Sequence, residues 1–353
     1  MNLQSQQRAL SAPLQVEQSK PFATTLTYYA EDDRFAAKAK FIAVPPVLER
    51  GGLHLLAELQ LLFRILVTAL HHHCLLLCSH RGATTPELIA AALLGLWPGR
   101  WRPQIVFYGE MYEPDQSWRT QCAQWLFRLA DRAIARYVVY SRAETESFAQ
   151  AWGVAPAKMR YALHPFYGRR KLHEIPFLPP AAAGHIFAGG NSFRDYGPLV
   201  EAARAMPEQQ FVICTTELDT QSGLPPNVRA GTVARDEFVR LMEEAAVVVV
   251  PLQRNTQRIA GALTYLEAMW LNKPTVVSDG LGVREYVVHG ETGWLVDSTP
   301  QSYVTALRWI LAPANEEAVA TICAKAHGAV DGQFNMERHV TALLSVMAEV
   351  CGR

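Results

Sequence analysis

From residue 74 onward, short apolar runs alternate with helical patterns: CLLLC, TPELIAAALLGL, QIVFYG, WRTQCAQWLFRLADRAIA, YVVYS and RAETESFAQAWG follow one another. A strand followed by a crossover helix returns the next strand parallel to the first, so this order commits the chain to a parallel α/β sheet. The alternation stops at FYGRRKLHEIPFLPPAAA, residues 166–183, a proline-rich stretch without periodicity that reads as a linker. It then resumes: HIFAGG, DYGPLVEAARAM, QQFVICTT, ARDEFVRLMEEA, AVVVVPL, GALTYLEAMWL and PTVVSD form a second Rossmann-like unit. The expected domains are therefore 1–165, with 1–20 a disordered polar start, and 184–332. A helix in 333–353, around ERHVTALLSVMAEVC, is expected to pack back on the first domain. A chain of 353 residues suits about two domains.

Charge excludes some partners. Lys plus Arg and Asp plus Glu are both 33, so this is no polycationic nucleic-acid binder. The halves differ: residues 1–170 hold 19 basic against 13 acidic side chains (+6), and residues 171–353 hold 14 against 20 (−6). A basic first half suits an anionic surface or a lipid phosphate. Arg100 and Arg102 flank Trp101 in LWPGRWRP, with Trp97 beside them, a combination suited to lipid headgroups.

Six scattered cysteines form no paired framework, so a reducing, cytoplasmic setting is the expectation. Cys74 and Cys78, near His71, His72, His73 and His80, enclose an apolar run that reads as a buried strand rather than a metal site. The polar start has no apolar signal-peptide core. In LHLLAELQLLFRILVTALHHH, Glu58, Gln60 and Arg64 interrupt what would otherwise approach a spanning helix, and Leu55, Leu59, Leu62, Leu66 and Leu70 mark one helical face. That face is expected in the core, with a membrane-interface helix as the alternative.

Neither half has a G-x-G-x-x-G turn or a Walker lysine loop, which removes the main support for a dehydrogenase or a P-loop enzyme. The most ordered motif lies at 257–297. Ala260-Gly261-Ala262 is a small-residue turn that leads through Leu263 and Thr264 into a helix, and backbone N–H groups at such a start can hold a phosphate. Glu267, about one and a half turns in, offers a carboxylate to vicinal hydroxyls such as those of a ribose.

This stretch, LEAMWLNKPTVVSDGLGVREYVVHGETGWLV, resembles the donor-site signature of family 4 glycosyltransferases of the GT-B fold. HIFAGGNSFRDYGPLVEAA is similar to the opening strand, phosphate loop and first helix of that family's donor domain. LPPNVRAGTVARDEFVRLMEEAAVVVVPL resembles the segment leading into the signature, and RYVVYSRAETESFAQAWGVAPAKMRYALHPF the end of the acceptor domain. The likeness covers about residues 134–300.

The resemblance implies an α/β fold of two Rossmann-like domains facing each other across a cleft, the N-terminal one abbreviated if its lack of a glycine-rich first loop is structural. It implies transfer of a sugar from a nucleoside-diphosphate sugar to a glycan or lipid-linked acceptor, with retention, no metal and no further cofactor. Arg194, in the loop after Gly189-Gly190, aligns with the family's basic phosphate-binding position. The implied donor site is then Gly190, Arg194, Gly261, Ala262, Leu263, Thr264 and Glu267. Of the family's two glutamates, the second is Glu267, and Ile259 stands at the first, leaving Gln257 or Arg258 to supply a polar contact. His80 and Glu110, each after an apolar run, are the candidates for a catalytic group near the reacting sugar, with Arg194 as the third catalytic residue. The expected setting is the cytoplasm, with peripheral contact at an anionic membrane. The competing reading is a silent nucleotide-sugar-binding or scaffold subunit. A sugar-nucleotide epimerase is the other option.

Overall fold

A computed structural model describes residues 21–43, 54–78, 85–109, 118–166, 177–179, 184–218 and 223–352. The chain divides into two compact units, one of residues 1–162 together with 340–353, the other of residues 163–339.

In the first unit six parallel strands run in the order β2-β1-β3-β4-β5-β6. They are β1 (Phe22–Thr24), β2 (Ala39–Phe41), β3 (Cys74–Cys78), β4 (Gln104–Tyr108), β5 (Ile134–Val139) and β6 (Met159–Tyr161). This unit is not abbreviated in its sheet, because three-residue strands before the first long apolar run complete it. The helix expected to run through 118–135 covers only Trp118–Ala130, and Ile134 already pairs with Ile105 in the sheet. The apolar residues after 130 belong to a buried strand whose periodicity a helix pattern can absorb. Cys74 to Cys78 are buried throughout, as a central parallel strand requires, and no metal-ligating cluster occurs among the described residues. Ser141 caps the helix Arg142–Trp152 by accepting from Glu144 N at 3.0 Å, while Glu144 Oε2 accepts from Tyr140 N at 3.0 Å. This reciprocal pairing satisfies donors that the first turn would leave open.

The helix His54–Ala69 corrects the expectation made for it. Ala57, Ile65 and Ala69 are its buried residues, with Leu61, Leu62 and Leu66 packed beside them, while Leu55, Leu59 and Leu70 are exposed. The leucine stripe is thus split between core and solvent, since small and β-branched side chains take the inward side. Trp97 packs against the core, and Arg102 is tied to the backbone oxygens of Trp97 and Arg132. Trp101 alone of this pair of rings is turned outward, beneath the Arg100 guanidinium at 4.6 Å.

In the second unit the order is β12-β11-β10-β7-β8-β9, again all parallel. The strands are β7 (Ile186–Gly189), β8 (Phe211–Cys214), β9 (Val228–Gly231), β10 (Val247–Val250), β11 (Thr275–Ser278) and β12 (Trp294–Val296). Four consecutive valines make β10, and all are buried because helices cover both faces. β7 and β10 are neighbours, yet the chain leaves them toward opposite edges. At such a switch point the loops after the two strands diverge and leave a crevice for ligand.

The closing helix Met336–Cys351 ends in the first unit. There Glu349 Oε1 accepts from Arg136 Nη2 at 2.5 Å and from Arg160 Nη2 at 2.7 Å. The two arginines hold its carboxyl down to about 2.

Candidate functional site

The loop after β7 and the segment after β10 are knitted together. Asp195 N donates to Pro251 O at 3.0 Å, Gln253 N to Phe193 O at 3.0 Å, and Arg194 forms an antiparallel bridge with Leu252. Holding the loop in this course requires a left-handed backbone at Phe193, φ 55°, a conformation costly to a bulky residue. The Arg258 guanidinium covers the ring of this Phe193 at 4.6 Å.

Arg194 is turned inward and is only 6% exposed. Its Nε donates to Gly189 O at 3.2 Å, Nη1 to Ser192 O at 2.7 Å and Nη2 to Thr264 Oγ1 at 3.1 Å. Gly190 makes room for it: with φ 110° and no side chain, it leaves the space where a Cβ would stand 2.8 Å from Arg194 Nη2. Burial pushes the guanidinium pKa below its ordinary value. Among the described residues no carboxylate lies within ion-pair distance of it. A buried cation held only by neutral carbonyls and a hydroxyl keeps most of its desolvation cost, several kcal/mol on the order of magnitude, until an anion arrives.

Gly261 occupies the other side. At φ 75° it caps the helix Ala262–Trp270 without a side-chain hydrogen bond, and a Cβ there would stand 2.9 Å from Val250 Cγ1 and 3.4 Å from Arg194 Nη1. Thr264 N and Tyr265 N already donate to Gly261 O, at 2.9 and 3.1 Å, while the N–H groups of Ala262 and Leu263 have no acceptor among the described residues. Two open donors at the positive end of a helix, beside a buried guanidinium, are an arrangement chemically suited to an anion such as a phosphate.

The structure therefore brings Gly190, Arg194, Gly261, Ala262, Leu263 and Thr264 to one place. Glu267 stands one turn further along the same helix, its side chain 13% exposed. Both its oxygens accept from Arg235 Nη2, at 2.6 and 2.8 Å. The ion pair leaves lone pairs on the carboxylate for further donors. Ile259 is buried, so this position offers no polar group. His80 and Glu110 lie outside the described residues.

Sequence reasoning missed Arg235. It opens the helix Arg235–Glu243, where a cation opposes the helix dipole, and that misplaced charge is the signal that a carboxylate from elsewhere, here Glu267, meets it.

Residues 197–313 match the family model described as glycosyl transferases group 1. No curated protein matches the chain by sequence. Solved structures do match by fold. HepE of Anabaena, in complex with UDP-glucose, is 17% identical with a TM-score of 0.62, over 94% of this chain and 99% of HepE. Sucrose-phosphate synthase of Thermosynechococcus elongatus is also 17% identical, with a TM-score of 0.59 over 89% of this chain and 83% of the synthase. The lipopolysaccharide outer core galactosyltransferase WaaB is 13% identical, with a TM-score of 0.57 over 84% of this chain and 81% of WaaB. Residues 197–313 are accordingly a glycosyl transferases group 1 domain, and the chain that carries them is a glycosyltransferase with the two-unit GT-B fold.

Proposed function

We propose that the protein transfers a sugar from a nucleoside-diphosphate sugar to a glycan or lipid-linked acceptor, with retention of configuration and without a metal ion in the site. The observation that carries this reading is the buried, carboxylate-free Arg194 set between Gly190 and the open N–H groups of Ala262 and Leu263. As the bond from the sugar to the diphosphate breaks, negative charge grows on the leaving oxygens. Donors already fixed by the fold stabilise that charge without reorganising. Glu267 receives the ribose hydroxyls beside its pair with Arg235. HepE, which shares the fold, was crystallised with UDP-glucose and with UDP plus glucose, and this supports a nucleotide-sugar donor here. The cytoplasm is the proposed setting, with the acceptor presented at a membrane surface.

A second reading has an observation in its favour. Ile259 is buried and apolar where the resembling family has a glutamate, which suits a subunit that binds nucleotide sugar without transferring it. A panel of nucleoside-diphosphate sugars, assayed in EDTA for transfer and by calorimetry for binding, separates the two. Transfer supports the proposal, binding with no transfer from any donor supports the silent subunit, and no binding overturns both.

A further inference from the structure

The helix His54–Ala69 is apolar on two opposite sides. Its inward side is the Ala57, Ile65 and Ala69 row described above. On the outward side Leu55, Leu56, Leu59, Phe63 and Val67 are between 39% and 70% exposed, as is Leu70 just beyond the end. With 3.6 residues per turn, the exposed set falls within about 120° of arc, centred opposite the buried row, and runs for about 22 Å. Among the described residues nothing covers this second face.

Neighbouring elements extend it. The helix Pro86–Gly95 packs beside His54–Ala69, and Trp118–Ala130 packs beside Pro86–Gly95. They add exposed Leu93, Trp118 and Trp125, with Leu96 just after the middle helix. The carboxylates among the described residues of these helices and the turns that follow them are Glu58, Glu87 and Asp131. Glu87 is buried, Glu58 half-buried, and Asp131 is paired with Lys158 at 2.9 Å. Arg100, Arg128 and Arg132 are exposed, so the outward charge of this layer is positive.

We propose that this face docks on an anionic bilayer, with the helix His54–Ala69 lying in the plane of the interface. Leucine and phenylalanine suit the acyl boundary, exposed tryptophans the headgroup level, and arginines the lipid phosphates. A second copy is a poorer occupant, because a two-fold contact sets this positive layer against itself. Residues 1–20 are poorer too, being rich in glutamine and serine and carrying Arg8 and Lys20 against the single Glu17. The proposal rests on the function above only for the lipid-linked acceptor it brings within reach.

Sedimentation with vesicles tests it without any sugar transfer. The full chain is expected to bind phosphatidylcholine vesicles containing phosphatidylglycerol at low salt, and at least tenfold less to phosphatidylcholine alone or at high salt. Leu59→Glu with Phe63→Glu, both at exposed positions, is expected to lose binding at least tenfold at unchanged melting temperature and unchanged nucleoside-diphosphate affinity. Arg100→Ala with Arg128→Ala is expected to lower binding to the anionic vesicles alone. Absence of binding at low salt, equal binding to neutral and anionic vesicles, or undiminished binding by the Leu59/Phe63 variant would overturn the proposal. So would a dimer that this variant dissociates in place of vesicle binding, or vesicle binding that appears only after deletion of residues 1–20. Vesicle binding by a protein that transfers no sugar leaves docking standing while the function falls, and the reverse result does the opposite.

Discussion

Arg194 Nη2 donates to Thr264 Oγ1 across 3.1 Å, so the guanidinium from the loop after β7 and the first turn of the helix Ala262–Trp270 form one rigid unit. Seventy residues of chain separate them, and the hydroxyl leaves the rest of the guanidinium aimed by Gly189 and Ser192. Arg194→Ala is expected to lower turnover by about 10²–10³ when measured with saturating donor, as for loss of a preorganised donor to a developing anion. Arg194→Lys is expected to recover little, since one ammonium cannot span the three acceptors.

Gly190 tests the same unit through the backbone. Gly190→Ala places a Cβ in a left-handed conformation and 2.8 Å from Arg194 Nη2. We expect a stability loss of about 1–3 kcal/mol, read by denaturant unfolding, together with weaker nucleoside-diphosphate binding.

Glu267→Ala is expected to lower nucleoside-diphosphate affinity roughly ten- to a hundredfold, from about 1.5–3 kcal/mol for a charge-assisted pair. Arg235→Ala, which removes an exposed partner, is expected to change affinity far less. Calorimetry on both variants checks the contrast, and equal losses would place the donor contact on Arg235.

Stability is expected to fall as pH drops below 6.5. His339 is buried, with Nδ1 2.6 Å from Leu163 O, and burial pushes its pKa down to about 3. An unfolded histidine titrates near 6.5, as a rough reference. The unfolded chain therefore binds more protons between these values, and the contribution is whole above the upper one and lost toward the lower. His339→Asn keeps a donor and removes the titration, so it is expected to flatten the melting-temperature profile between pH about 6.5 and about 4.5. The flattening is partial, because burial also lowers the pKa of His185.

A second acid limb belongs to Glu349, whose carboxyl is held at about 2 by Arg136 and Arg160. Its contribution is present above the ordinary carboxylate range and lost as pH falls through about 2. Glu349→Gln is expected to lower the melting temperature at neutral pH and to weaken its further decline in acid.

The sequence makes the second unit legible because most of its strands, though short, are buried apolar runs separated by turn residues. The four valines of β10 and the glycines at 189, 190 and 261 each announce a local requirement that Arg194 and Thr264 then share. Three-residue strands carry too little pattern: β1 and β2 are set by their neighbours in the sheet. The outward face of His54–Ala69 is illegible for a different reason. A helix apolar on opposite sides has no direction in its pattern that selects which side turns inward. The Arg235–Glu267 pair spans 32 residues and depends on two helices meeting.

Glu349 also ties the order of folding to the order of synthesis. The unit of residues 163–339 is continuous, and its chain is complete when position 339 leaves the ribosome. The other unit begins earlier but lacks residues 340–353, so Arg136 and Arg160 on β5 and β6 wait without their carboxylate until position 349 has been added. Domains that form as they emerge follow the order of the chain. Here the unit synthesised first is the one completed last, and a nascent chain stalled before residue 349 has a finished second unit attached to an unfinished first one.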